Sequence, residues 1–274
     1  MMKLGFTEEE LERYSRQLLL PGVGGAGQSR LRASSAFVVG AGGLGSPALL
    51  YLAAAGIGRV GLIDADRVEL SNLQRQIIHQ TRDVGRSKAE SAERAIRALN
   101  PACEVEAFHE RLSVDNIRRI VGGYDVVLDG SDNFPTRFLV ADFCWLEGVR
   151  LVSAAVLGFE GQLLTILPGE ASACYRCLVP EPPPPGWIPS CQEAGVLGPA
   201  VGVMGVLQAA EAIKVLLGLG ETLHDRLLVY DALECTFRSF RRVKDPDCPL
   251  CGSRPTITEL VNHEVSCALA EVEA

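Results

Sequence analysis

At 274 residues, 47% of them hydrophobic and 22% charged, the chain has ample length to bury a core as one large domain or two modest ones. A formal net charge of −8, with no basic stripe to offset it, argues against nucleic acid as the main partner. The first seven residues lack the apolar core of an export signal, and the longest apolar region, 196–220, carries Gln208, Glu211 and Lys214. That region reads as a buried helix and not a membrane span, so the expected location is the cytoplasm. Nine cysteines in a reducing compartment are ligands, nucleophiles or small core residues in preference to disulfides.

Thr7-Glu8-Glu9-Glu10 is a capping box, and the helix it opens is expected to run through Arg13-Tyr14-Ser15-Arg16-Gln17 to about Leu20, where Pro21-Gly22 stops it. Because this helix precedes the first strand, it is expected to pack outside the unit that the strands build, across a dimer. Read blandly, its arginines are a solvated face.

Phe37-Val38-Val39 then runs into Gly40-Ala41-Gly42-Gly43-Leu44-Gly45, and an Ala/Leu-rich segment ending near Gly56 follows at once. This is strand, tight turn, helix. The glycines fit G-x-G-x-x-G, where missing side chains let backbone N–H groups and a helix N-terminus approach a phosphate. A second strand, Arg59 to Asp64, ends in an acid 19 positions after Gly45, placed to meet a ribose. Glycines and acid alone leave the nucleotide open between a dinucleotide for hydride transfer and ATP.

The next segment, Asp64-Ala65-Asp66 through Ser71-Asn72-Leu73-Gln74-Arg75-Gln76, crowds polar and cationic groups into the mouth of that site. A helix beginning near Gly85-Arg86-Ser87-Lys88 and reaching Asn100 puts Lys88 in its first turn, against helix-dipole logic. A nearby phosphate would explain it; a contact-free exposed lysine is the bland alternative. Strand 103–108, helix 114–121 and strand 124–129 follow, the last running into Gly130-Ser131-Asp132-Asn133. In doubly wound sheets ligands lie at the carboxyl ends of the strands, so Asp129 and Asp132 are both expected to face the crevice. Two carboxylates beside a triphosphate suggest Mg²⁺, although Asp132 also suits the cap of the helix over 133–147.

Leu151 to Ala155 reads as a fifth core strand, and 161–167 as a strand turning toward antiparallel pairing. Cys174-Tyr175-Arg176-Cys177 and Cys248-Pro249-Leu250-Cys251 are two C-x-x-C knuckles able to give four thiolates to a tetrahedral zinc ion. The 70 residues between them exceed a compact zinc ribbon, and redox pairs or buried thiols are the alternatives. Between the knuckles a proline-rich crossing segment, about 178–197, denies regular structure and carries Cys191 at the head of an apolar helix, 199–217. Strands near 227–231 and 236–243 complete the chain. Cys103, Cys144, Cys235 and Cys267 read as packing residues.

Taken together, the Arg13–Gln17 motif, the glycine loop, Asp64-Ala65-Asp66, Ser71 to Gln76, Lys88, Asp129 to Asn133 and the two knuckles resemble, in this order, the MoeB/ThiF family, bacterial relatives of ubiquitin-activating enzymes. The resemblance covers roughly residues 8–252. It implies an α/β fold with a Rossmann-like doubly wound sheet, a parallel core continued by antiparallel strands, an N-terminal helical arm (1–30), an adenylation domain (31–252) and a C-terminal tail (253–274). The implied activity is ATP-dependent adenylation of the C-terminal glycine of a ubiquitin-like sulfur-carrier protein ending in Gly-Gly. Carried over, Gly43 lies against the nucleotide, Asp64 takes the ribose, and Asn72, Arg75 and Lys88 address the phosphates. Gly40, Gly42, Leu44, Gly45, Asp66, Ser71, Gln76 and Asn133 complete the nucleotide site. Asp132 matches the Mg²⁺ ligand, Arg16 an arginine that reaches the phosphates from the other subunit of a homodimer, and Cys174, Cys177, Cys248 and Cys251 the Zn²⁺ ligands. Cys191 matches a cysteine that links covalently to the carrier or its sulfur in some members. The chain is too short after the second knuckle for the rhodanese domain of some relatives, so a separate sulfurtransferase is expected. Two other classes are weighed. An NAD-dependent oxidoreductase leaves Arg16, Arg75, Lys88 and the knuckles unexplained; a non-catalytic scaffold binding a ubiquitin-like protein would be expected to have lost the site residues.

Overall fold

The computed structural model describes residues 5–169, 172–184 and 194–263. Five parallel strands come first: β1 (Ser35–Val39), β2 (Arg59–Ile63), β3 (Glu104–Phe108), β4 (Val126–Asp129) and β5 (Arg150–Leu157). Three antiparallel strands, β6 (Glu160–Ile166), β7 (Arg226–Asp231) and β8 (Thr236–Arg241), extend the same sheet in the order β3-β2-β1-β4-β5-β6-β7-β8. The order reverses between β1 and β4, which opens a crevice at their carboxyl ends. The parallel core and its antiparallel continuation are as the sequence implied.

A continuous apolar run such as Ala36-Phe37-Val38-Val39 forms a strand here because helices cover both faces of the sheet. Ala36 and Val38 point to one face, buried with Leu49 and Leu52 of α4 (Gly45–Ala55), Ile96 of α5 (Lys88–Leu99) and Met204 of α8 (Gly198–Leu217). Phe37 and Val39 point to the other, buried with Ile117 of α6 (Val114–Val121) and Phe138 of α7 (Phe134–Leu146). Truncating a fully buried ring such as Phe37 to Ala costs about 3–5 kcal/mol. The apolar helix α8 lies on this sheet with Gln208 and Glu211 buried: Gln208 Nε2 donates to the carbonyls of Asp129 and Val152, and Glu211 accepts from Thr165 Oγ1 and the Leu223 amide.

The N-terminal arm departs from the sequence reading in two ways. The capping box at Thr7 and Glu10 forms, but the helix ends after α1 (Glu8–Arg13), breaks at Tyr14, and resumes as the short α2 (Ser15–Leu18) before α3 (Gly24–Ala33). The break follows from a tertiary contact: Tyr14 is buried, and its hydroxyl accepts a hydrogen bond from Asn100 Nδ2 at 2.9 Å. The arm also packs on the nucleotide-binding unit itself. Arg13 donates to the Leu99 carbonyl and Gln17 to the Ala55 carbonyl, both at helix C-termini, at the end of the sheet opposite the glycine turn. Gly56 makes this docking possible: it caps α4 at φ 85°, and a Cβ there would sit 2.7 Å from the Tyr14 ring.

Candidate active site

The crevice is built around the turn between β1 and α4. Gly40 adopts φ 91°, and the α4 backbone passes so close that a Cβ on Gly45 would fall 1.8 Å from the Gly40 carbonyl oxygen. Only glycine fits there. At Gly43 the missing side chain makes room for α8, since a Cβ would meet Val201 at 2.7 Å and Arg75 at 3.5 Å. Leu44 is buried as the residue entering α4. The amides of Gly42 and Gly43 donate to no group among the described residues.

Asp64, at the end of β2, braces this turn. Its Oδ2 accepts from the Ala41 amide at 2.9 Å and its Oδ1 from the Asp66 amide at 2.8 Å. Burial pushes its carboxyl above the usual carboxylate value, an effect that the nearby Lys88 cation opposes. Asp66 is exposed and holds Lys88: Nζ lies 2.8 Å from Asp66 Oδ2, and the Lys88 amide donates to the Asp66 carbonyl. The lysine itself is 6% exposed, so the bland reading of a contact-free surface lysine is overturned. Its helix starts at Ser87, whose hydroxyl caps α5 and leaves Lys88 pinned beside the end of β2.

After β2 a one-turn helix over Leu70–Asn72 is closed by Asn72, whose Oδ1 accepts from the Glu69 amide. Asn72 and Gln76 are buried, and Gln76 Oε1 makes no hydrogen bond among the described residues. Arg75 is half-buried with Nη1 on the Ser71 carbonyl at 3.2 Å, and the exposed Ser71 donates to Glu69. Gly43, Arg75 and the start of α8 thus converge at the mouth, where a Cβ on Gly198 would meet the Gln74 carbonyl at 2.4 Å.

The two acids after β4 part company. Asp129 is fully buried: Oδ1 accepts from the Ser131 amide (3.0 Å) and hydroxyl (2.5 Å), Oδ2 from the Ser153 hydroxyl (3.0 Å), and Arg137 Nε lies 3.4 Å away. It faces the interior, which corrects its expected place in the crevice. Asp132 is exposed, contacted among the described residues only by Asn133 Nδ2 at 3.4 Å. Nor is Asp132 the helix cap; Asn133 is, accepting from the Thr136 amide at 2.9 Å. One open carboxylate beside bound phosphates suits Mg²⁺, which needs few protein ligands.

The four knuckle cysteines come together despite the 70 residues between them. Their sulfurs lie within 4.8 Å of one another, with Cys174 3.9 Å from Cys177 and 3.5 Å from Cys248, and Cys177 3.3 Å from Cys251. A tetrahedron with ~2.3 Å zinc–sulfur bonds has edges of about 3.8 Å, so the cluster is sized for zinc. Burial pushes the Cys174 thiol up and the Cys251 thiol up to about 12. At Cys248 burial is outweighed by the Cys251 and Leu250 amides, which hold the thiol down. The thiolates of Cys174 and Cys251 therefore need a cation. The knuckle is bolted to α7 by Arg176, which is buried and donates to both oxygens of Asp142 at 2.9 and 2.7 Å.

Arg16 is exposed and makes no contact with a charged group among the described residues. Its neighbour Gln17 bonds the Ala55 carbonyl, at the end of α4 away from the glycine turn. Cys191 and Cys267 lie outside the described residues. Cys103 and Cys144 are buried as expected, but Cys235 is not a packing residue: it sits exposed in the β7–β8 turn at φ 52°. One residue escaped the sequence reading altogether. His79 is buried against the glycine turn, with Nε2 3.0 Å from the Ala41 carbonyl and Nδ1 2.9 Å from Ser91 Oγ.

Residues 14–250 match the ThiF family. The chain belongs to the ThiF family. It is 53% identical over 268 residues to the sulfur carrier protein adenylyltransferase of Thermus thermophilus, covering 96% of this chain and 99% of that protein. It is 48% identical to the adenylyltransferase and sulfurtransferase MOCS3 of Drosophila sechellia, 96% of this chain aligning with 58% of that one. The chain therefore spans little more than half of the MOCS3 length. A structure of E. coli MccB with ATP superposes with a TM-score of 0.75 at 23% identity, covering 90% of this chain and 75% of that chain, a likeness of fold.

Proposed function

We propose that this ThiF-family chain adenylates the C-terminal glycine of a ubiquitin-like sulfur-carrier protein ending in Gly-Gly. The carrier carboxylate attacks the ATP α-phosphate, pyrophosphate leaves, and an acyl-adenylate results, ready to accept sulfur. One observation carries the reading: the glycine turn, Arg75, the Lys88–Asp66 pair and the single open carboxylate Asp132 meet at the carboxyl ends of β1, β2 and β4. Hydride transfer needs the turn and Asp64 but no such cations. The two relatives named above are adenylyltransferases, in agreement with adenylation.

Gly43 lies against the nucleotide, and Asp64 positions the ribose from the edge it shares with the Ala41 amide. Asn72, Arg75 and Lys88 meet the phosphates, where fixed cations stabilise the charge that develops on the departing pyrophosphate. Mg²⁺ on Asp132 would neutralise phosphate charge. Arg16 acts on the neighbouring subunit's ATP, which requires a homodimer and suits its place beside Gln17, at the end of α4 away from the glycine turn. The cysteine cluster holds a structural Zn²⁺ that ties the end of the chain to α7. Four reduced cysteines on a metal suit a reducing compartment such as the cytoplasm. The Cys191 thiolate, or a persulfide built on it with sulfane sulfur from a separate sulfurtransferase, attacks the finished adenylate and displaces AMP, leaving a covalent link to the carrier.

The test is exchange of labelled pyrophosphate into ATP. It is expected only with a carrier whose Gly-Gly terminus is intact, and to be lost in Arg75→Ala and Asp132→Ala. Exchange that ignores the carrier, or survives both substitutions, would overturn the assignment.

A further inference from the structure

His79 lies outside the machinery described above yet touches its centre. Its ring is 5% exposed, and Nε2 is 3.0 Å from the Ala41 carbonyl oxygen. A carbonyl can only accept, so Nε2 carries the proton. On the other side Nδ1 is 2.9 Å from Ser91 Oγ, which is also 3.0 Å from Asp83 Oδ2; Asp83 in turn is bound by Arg94 at 2.9 Å and by the Gln80 amide at 3.0 Å. Burial lowers the affinity of the ring for a second proton, and the Lys88 and Arg94 cations act the same way against Asp83. The imidazole Nε2–H is a donor aimed at one carbonyl, with Ser91 and Asp83 packed behind the ring.

That carbonyl belongs to the glycine turn, and Ala41 is held at both its amide and its carbonyl. The Ala41 amide is held by Asp64 at 2.9 Å and the Ala41 carbonyl by His79. In a trans peptide the C=O and the following N–H point in opposite directions. Drawing the Ala41 oxygen into the core therefore turns the Gly42 N–H outward to the crevice, where it donates to no group among the described residues. Were the peptide to flip, which a Gly42 backbone readily permits, an oxygen would face the phosphates where a donor is needed.

We propose that His79 is a positioning residue that holds the Ala41–Gly42 peptide in the orientation presenting the Gly42 N–H to the phosphates of ATP. The nature of the bound anion rests on the adenylation reading; the geometry of the turn does not. Glutamine and asparagine separate this role from mere packing. A glutamine amide reaches to about where Nε2 stands and can donate to Ala41, whereas an asparagine amide stops near Nδ1 and cannot. Calorimetric binding of Mg-ATP without carrier is expected to weaken about tenfold in His79→Leu and His79→Asn and to stay within about threefold of the parent in His79→Gln. In pyrophosphate exchange the same factor should fall on the KM for ATP and not on that for the carrier, with zinc content unchanged. If His79→Leu does not fold, the asparagine–glutamine contrast decides. Parent-like ATP affinity in His79→Asn, or equal losses in the asparagine and glutamine variants, would overturn the proposal. ATP binding that follows this pattern in a protein showing no exchange with any carrier would leave the positioning role standing and count against adenylation alone.

Discussion

Asp129 and Asp132 lie three residues apart after the same strand, and the structure gives them opposite jobs. Asp129→Asn removes a buried charge that Arg137 faces at 3.4 Å and that Ser131 and Ser153 satisfy with three hydrogen bonds. Arg137 is itself 9% exposed, and the Asp129 charge helps to keep its proton on against burial. Removing one partner of such a pair strands the other, which costs about 3–5 kcal/mol. For a chain of this size that is a fall in Tm of roughly 6–15 °C. Asp132→Asn touches only an exposed group and should stay within about 0.5 kcal/mol of the parent while losing pyrophosphate exchange. Urea unfolding of zinc-loaded protein, followed by circular dichroism, reads both. A loss under about 1 kcal/mol in Asp129→Asn, or equal destabilisation by the two substitutions, would refute the division of roles. Adding Arg137→Met to Asp129→Asn should restore part of the lost stability, because no unpaired charge then remains.

Purified protein should hold about one zinc per chain, and Cys174→Ser or Cys251→Ser should lose metal and stability together, read by elemental analysis and thermal melting. Arg16→Ala mixed with Asp132→Ala should regain exchange activity through heterodimers containing one intact site; no recovery after verified subunit exchange would refute action across the dimer. Burial pushes the Cys103 thiol up to about 11, so it should resist iodoacetamide at pH 9 in the folded protein. The sign follows from its raised value: the neutral thiol's contribution to stability is complete below the ordinary thiol pKa of 9.0 and is lost as pH rises from there through about 11. Cys103→Ala should flatten that alkaline decline.

Signals carried by neighbouring residues were legible in the sequence. Val-rich strand, glycine turn and apolar helix sit together between residues 35 and 56, and each C-x-x-C knuckle announces itself locally. What escaped was set by partners distant in the chain. Tyr14 breaks its helix because Asn100, 86 residues on, takes its hydroxyl. Asp129 turns inward because Ser153 stands beside it in the β4–β5 register and Arg137 returns from α7. His79 gives no signal at all, since Ala41 reaches it from the glycine turn and Ser91 from α5, with Asp83 on Ser91 behind. The Lys88 puzzle was visible as a cation at the wrong end of a helix, but its partner Asp66 was not.

Adenylation of the carrier can be trapped with hydroxylamine. An acyl-adenylate on the carrier's C-terminal glycine should be captured as a C-terminal hydroxamate, visible by mass spectrometry of the intact carrier, with one AMP released for each hydroxamate formed. The account predicts this product with the parent protein, ATP and Mg²⁺, and its absence with Asp132→Ala. ATP cleaved to ADP, or a carrier left unmodified under conditions in which the protein binds ATP, would contradict it.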